Sequence, residues 1–131
     1  MNFLRLSLLL FVVLLAGCTT GSALVTGTKR PPIDPAQVLI YRVPPDATFE
    51  HIGIVKAEAE EVLSQQEAMD RAVGELKKQA AKIGANGVIL SGMGEKHETY
   101  GGYTPFAGGG GHFWMGTSEY QTLRGDAIFV D

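Results

Sequence analysis

The chain has a single cysteine among its 131 residues and no concentration of basic side chains. One cysteine cannot form an internal disulfide, so packing and hydrogen bonds have to hold the fold together. Acidic residues outnumber basic ones by 14 to 11, and the formal net charge is -3. Phosphate recognition needs clustered Lys and Arg. We therefore expect neither a disulfide framework nor a nucleic-acid partner.

An apolar run of about 20 residues, the length that spans a bilayer, is also missing. The run in residues 6–16 is shorter and follows Arg5, which is the arrangement of a secretory signal peptide. It ends in Leu15-Ala16-Gly17-Cys18, a motif that resembles the bacterial lipobox. The resemblance implies that residues 1–17 are a cleaved signal peptide and that Cys18 carries covalent lipid, palmitate among its acyl chains.

Such a lipid would anchor the chain firmly, because each buried methylene contributes about 0.8 kcal/mol and two or three acyl chains are attached. Thr19 stands where an Asp would resemble the inner-membrane retention signal of enteric bacteria. By this analogy we expect the outer membrane, with the protein facing the periplasm. Residues 18–22 are predicted to be the acylated cysteine and a short polar tether.

Residues 23–131 are predicted to form a single α+β domain. One amphipathic helix would pack on a small, mostly antiparallel sheet, in the order β-β-β-α-β-β. Gly53, inside a predicted strand, indicates a bulge or a point of close packing. Strands are predicted from β-branched and aromatic content at residues 23–28, 38–42, 48–59, 88–92 and 120–130.

The helix is predicted to run from residue 65 to residue 83. Ser64 and Glu67 have the spacing of a reciprocal capping box, and Gly84 suits the left-handed position that ends a helix. Gly74, inside the helix, indicates close packing against a strand. The spacing of three and four residues predicts an apolar stripe made of Ala68, Met69, Ala72, Val73, Leu76, Ala80 and Ile83.

Residues 101–116 are the one low-complexity segment, rich in glycine and aromatic residues. Four consecutive glycines lose the most backbone entropy on ordering, so a mobile loop between the last two strands is predicted. Its aromatic side chains could contact a protein partner, a glycan or membrane headgroups, and the alternative is that they fold back on the domain. The candidates are Tyr103, Phe106, Phe113 and Trp114.

Metal ligands are sparse. His97, with Glu95 and Glu98 beside it, and His112 across the presumed hairpin are the best set that the sequence offers. They lack the close pairs on one element that make a metal site specific, so we expect no metal there.

Catalytic motifs are absent as well. Ser64 is explained by its capping position, and Ser91 lacks the glycine two residues earlier that a nucleophile elbow requires. No nucleophile, base and oxyanion donor come together in the sequence. We expect no enzyme, and no cofactor besides the lipid on Cys18.

Residues 52–59, 81–88 and 125–130, in this order, resemble the YbjQ-type domain. More loosely, they resemble the domain of the outer-membrane lipoprotein that senses envelope stress for the Rcs phosphorelay. The resemblance implies a small α+β fold without catalytic residues, and a homo-oligomer as one alternative, since YbjQ-type domains can form rings. The stress sensor has internal disulfides, which a chain with Cys18 alone cannot form, so its signalling role is not carried over.

These features predict a membrane-anchored, non-enzymatic lipoprotein that binds or scaffolds another component of the cell envelope. A periplasmic sensor of a metal or small ligand, using His97 and His112, is the alternative hypothesis.

Overall fold

The computed structural model describes residues 2–3 and 18–131; apart from Asn2 and Phe3, the predicted signal peptide lies outside the described residues. A 3-10 turn at Pro35–Gln37 precedes the second strand. The elements are β1 (Thr19–Val25), β2 (Leu39–Tyr41), β3 (Phe49–Glu60), α1 (Gln65–Lys82), β4 (Gly87–Pro105) and β5 (Gly111–Val130).

The five strands form one sheet in the order β1-β3-β5-β4-β2. All neighbouring strands are antiparallel except β2, which runs parallel to β4. The sheet curls into half of a barrel, and α1 packs against β3, β5 and β1 on one of its faces. On the opposite face, Lys56 of β3 and Arg124 of β5 are paired with each other and exposed.

The predicted fold class, a small α+β layer, is wrong. Strands take up 53% of the described residues, so the protein has a mostly-β fold with one helix. The difference comes from the last two strands, which are 19 and 20 residues long and stay paired through the segment predicted to be a loop. Only residues 106–110 turn the chain.

The predicted tether also differs from the structure. Thr19–Val25 is a strand from its first residue, so residues 19–22 pair with Lys56 to Ala59 of β3. Gly21 lets this strand pass close under the helix, since a Cβ there would lie 2.8 Å from Cγ of Glu75. The folded domain therefore begins directly after Cys18.

The helix prediction is confirmed, with its end one residue earlier than expected. The Ser64 hydroxyl accepts a hydrogen bond from the Glu67 N–H at 3.1 Å, and Gly84 has a φ of +81°. Among the described residues, the reciprocal half of the predicted capping box does not form, because the Glu67 carboxylate accepts from Arg71 Nε at 2.6 Å instead of from the Ser64 N–H.

The core between α1 and the sheet is rich in alanine. Small side chains bring the helix close to the sheet, and Leu76 is the largest helical residue that is fully buried. Gly53 lies at a register shift in β3, and a Cβ there would be 2.3 Å from the Leu24 carbonyl oxygen, which confirms both parts of its prediction. The larger buried side chains are Ile52, Leu76, Ile128, Val38, Val55 and Val88.

Gly74 was predicted to mark close packing, and this is wrong because a Cβ there would meet no atom within 4 Å. Gly74→Ala should therefore stabilise the protein by up to about 1 kcal/mol, since it removes backbone entropy from the unfolded chain and fills open space. Thermal denaturation should show a rise of about 4 °C. Gly53→Ala is the matched control and should lower the midpoint; an unchanged or lower midpoint for Gly74→Ala would contradict the packing described for α1.

Candidate membrane-facing site

Cys18 lies at one end of the sheet, in a row of residues that crosses four strands. The Glu60 N–H donates to the Cys18 carbonyl at 2.9 Å, Glu60 is paired with Tyr120, and Tyr120 with Lys96. Cys18 is exposed and its thiol is free. The sulfur atom is thus accessible at a defined edge of the fold.

Arg71 holds this end of the sheet to the helix. Its guanidinium donates to the Thr19 hydroxyl at 2.8 Å, to the Glu60 carbonyl and to the Glu67 carboxylate. The Arg71 side chain is 21% exposed, so these charge-assisted bonds are shielded from water on one side. The residue next to Cys18 is therefore fixed by a side chain of α1 as well as by the sheet.

Charged side chains surround the same row. Lys96 pairs with Glu98 at 2.7 Å and with Glu58 at 3.4 Å, and its ammonium group lies 5.5 Å from the centre of the Tyr120 ring. The hydrogen bonds to Glu98 and then to Glu58 raise the pKa of Lys96 above its ordinary value of 10.5. Lys96 therefore keeps its charge at neutral pH.

Desolvation, followed by the charge of Glu60 and then Glu98, raises the pKa of Tyr120 above its ordinary 10.0. The phenol therefore stays neutral at neutral pH. We call the ionisable side chains around this row, other than Tyr120, the charged belt. They are Glu58, Glu60, Glu61, Glu95, Lys96, His97, Glu98 and Glu119.

Beyond the belt, β4 and β5 continue as a two-stranded arm, defined as residues 97–119. His97 is paired with Glu119 at its base, and Pro105 with Gly111 near its tip. The tip is closed by a hydrogen bond from the Phe106 N–H to the Gly110 carbonyl at 3.0 Å. Gly109 and Gly110 have φ values of +98° and +73°, which a residue with a Cβ rarely adopts, so the tip needs glycine.

Aromatic rings and glycines face each other across the arm. Tyr100 is paired with Gly116 and Trp114 with Gly102, and a Cβ on either glycine would lie within 2.6 Å of the ring opposite. The rings thus occupy the space that a glycine side chain leaves empty, which strengthens a glycine-rich strand pair. For this reason the segment predicted as a loop is a hairpin.

The four predicted contact residues all lie on the arm. Phe113 is 79% exposed and packs on Tyr103 with their ring centres 4.8 Å apart, on one face of the hairpin. Trp114 lies on the other face, and Phe106 is at the tip. Two further residues of the arm, Tyr100 and Met115, are exposed in the structure and were not among the predicted contact residues.

The outer part of the arm carries no formal charge. Residues 99–118 include no Asp, Glu, Lys or Arg, and His112 is their one titratable side chain besides the tyrosines. This stretch follows directly after the charged belt, so the surface changes from densely charged to uncharged within one or two residues on each strand.

The weak metal-ligand candidates, His97 and His112, do not come together. His112 is paired with Thr104 and His97 with Glu119, so the two positions are seven residues apart along β4 and lie on opposite faces of the arm. His97 instead lies 3.6 Å from the Glu119 carboxylate. Among residues 2–3 and 18–131, no group of three or more His, Cys, Asp and Glu side chains is arranged to hold a metal ion.

No protein-family model matches the chain, and neither does any curated protein sequence. The chain is similar in structure to a Francisella virulence factor, FvfA, with a TM-score of 0.49 and 20% sequence identity. The alignment covers 87% of this chain and 100% of FvfA. A similarity of this size carries no argument about function, and the resemblance to YbjQ-type domains stays a prediction. No helix of the described segments is long and apolar enough to cross a membrane.

Replacing Arg71 should loosen the sheet next to Cys18. Arg71→Leu keeps apolar contacts of the side chain but removes its bonds to Thr19, Glu60 and Glu67, at a cost of about 2 kcal/mol. In hydrogen-exchange measurements, Arg71→Leu should speed exchange in residues 19–22 relative to the wild-type protein, and it should change exchange less in the middle of α1. Lys78→Leu, at an exposed position of the same helix, is the control. Equal protection of residues 19–22 in both variants would show that Arg71 does not hold this end.

Proposed function

We propose that the protein is an envelope lipoprotein, acylated on Cys18, whose domain binds or scaffolds another component of the cell envelope without catalysing a reaction. The observation that carries the proposal is the exposed cysteine that directly precedes β1 and directly follows the lipobox-like residues 15–17.

The position of Cys18 suits acylation chemistry. Cys18 is exposed and directly precedes an edge strand, so its sulfur is accessible to an acyl donor. Because β1 lies at the edge of the sheet, the start of the strand can be approached from the side that carries no neighbouring strand. An acyl group on Cys18 would bring the end of the domain at which β1 begins to the membrane.

The binding role is supported by the arm. Its exposed aromatic residues offer apolar area with few rotatable bonds, which is the composition of contact surfaces in proteins. The periplasmic side of the outer membrane is the location we propose, on the ground of Thr19 at the second position of the mature chain. The contacted component is a protein, a glycan or lipid, and a second copy of the chain is included.

The acylation is tested in cells that express the full chain. The protein should incorporate labelled palmitate, and its intact mass should correspond to a chain that begins at Cys18 and carries two or three acyl groups. Cys18→Ser should incorporate none and should keep its signal peptide, because the acceptor sulfur is missing.

The control combines Cys18→Ser with Ser22→Cys, which moves the cysteine four residues away from the motif. It should incorporate no palmitate either, since a thiol alone is insufficient. A wild-type chain with a free thiol, or labelling of the control at the wild-type level, would contradict the proposal.

A further inference from the structure

We infer that the uncharged part of the arm, residues 99–118, lies in the headgroup layer of the same membrane that holds the Cys18 lipid. This inference rests on the proposed acylation and adds a second, structural contact to it. It assigns the exposed aromatic residues of the arm to a lipid surface, in preference to a protein partner.

The arm extends from the end of the sheet at which Cys18 lies. Cys18 lies in one row with Tyr120, and nine positions of β5 separate Tyr120 from Gly111 at the tip. At about 3.3 Å per residue the tip lies roughly 30 Å beyond the row, on the side where β1 begins. A lipid on Cys18 holds the row next to the membrane, so an arm that extends from that end meets the same membrane.

The amino-acid composition of the arm suits the membrane interface. A charged side chain is costly to bring into a bilayer, and the 20 residues of the segment 99–118 include none. Trp114, Tyr100 and Tyr103 are of the types that concentrate at the membrane interface, where the ring is apolar and the polar group stays hydrated. Phe113 and Met115 are 79% and 80% exposed, and they add apolar area that is accessible to lipid.

The unpaired outer edges of the arm determine how deeply it can enter the membrane. Within the described part of the chain, residues 97–105 pair only with β5 and residues 111–118 only with β4. The outer edges of both strands therefore present unpaired N–H and C=O groups, which hydrocarbon excludes. The headgroup layer supplies water and polar partners for these groups, so the arm lies along the interface and does not cross the bilayer.

The charged belt marks the end of the membrane-contacting segment on the side of the folded domain. It holds six carboxylates, from Glu58, Glu60, Glu61, Glu95, Glu98 and Glu119, against one lysine. Because carboxylates predominate in it, the charged belt stays in water and is repelled by anionic lipid. The contact between the arm and the membrane therefore favours zwitterionic headgroups. The contact should therefore weaken as anionic lipid is added, which is opposite to the behaviour of basic peripheral proteins.

The test uses Trp114, which is the one tryptophan of the chain and lies on the arm. The acylated full-length protein, purified from membranes, is reconstituted into phosphatidylcholine vesicles and floated in a density gradient. With phosphatidylcholine brominated at carbons 6 and 7 of one chain, Trp114 fluorescence should fall by at least half, and quenching by iodide should fall several-fold relative to the protein in water.

The outcomes separate the claims. Flotation without quenching by brominated lipid would overturn this inference and leave the proposed acylation intact. A blue shift that depends on protein concentration, again without such quenching, would assign the arm to a second copy of the chain and overturn the inference. Failure of the purified chain to float would remove the acylation and the inference together.

Two variants sharpen the result. Met115→Asp places a carboxylate on the arm and should reduce quenching by brominated lipid several-fold while flotation persists. Leu39→Asp, at a 59% exposed position at the opposite end of the sheet, is the matched control and should leave quenching unchanged. Equal quenching in both variants would show that the arm is not in contact with lipid.

Discussion

The pairing of β1 with β3 from Thr19 onward is the constraint on which the arrangement depends. Seven pairs of residues and the Arg71 side chain fix the first strand, so no free chain separates Cys18 from the folded domain. A lipid at Cys18 would therefore orient the domain as well as retain it. The same pairing is important for the arm, because the arm extends from the end of the sheet next to Cys18.

The parts of the fold that depend on local sequence could be predicted. The Ser64 cap, the Gly84 end and the apolar stripe of α1 are encoded within a few residues of one another. Two features needed long-range pairing and were missed. Residues 19–22 are polar and small, with no strand pattern of their own, and become a strand because β3 offers an edge. The glycines of the arm become strand because rings on the opposite strand cover them.

The candidate site was predicted in part. Four aromatic residues of the arm were named from composition alone, and Tyr100 was missed. The display of these rings on two faces of a hairpin follows from the register, which the sequence does not reveal. Arg71 carried no signal, since one Arg on a helix is ordinary until its partners are known. A signal that could have been used is the uncharged run of residues 99–118 bounded by charged residues on both sides. The turn glycines obscure this signal, because a glycine-rich segment is typical of a linker.

Cys18 and the arm belong to one end of the molecule, and the tip of the arm points away from the body. The most direct measurement is the distance between spin labels at Thr20→Cys and Ala107→Cys in the acylated protein, where the sulfur of Cys18 is blocked. Both positions are exposed, and the register places them roughly 35–40 Å apart. We expect one narrow distribution centred there. A broad distribution, or a centre below about 25 Å from an arm folded back on the sheet, would contradict the account.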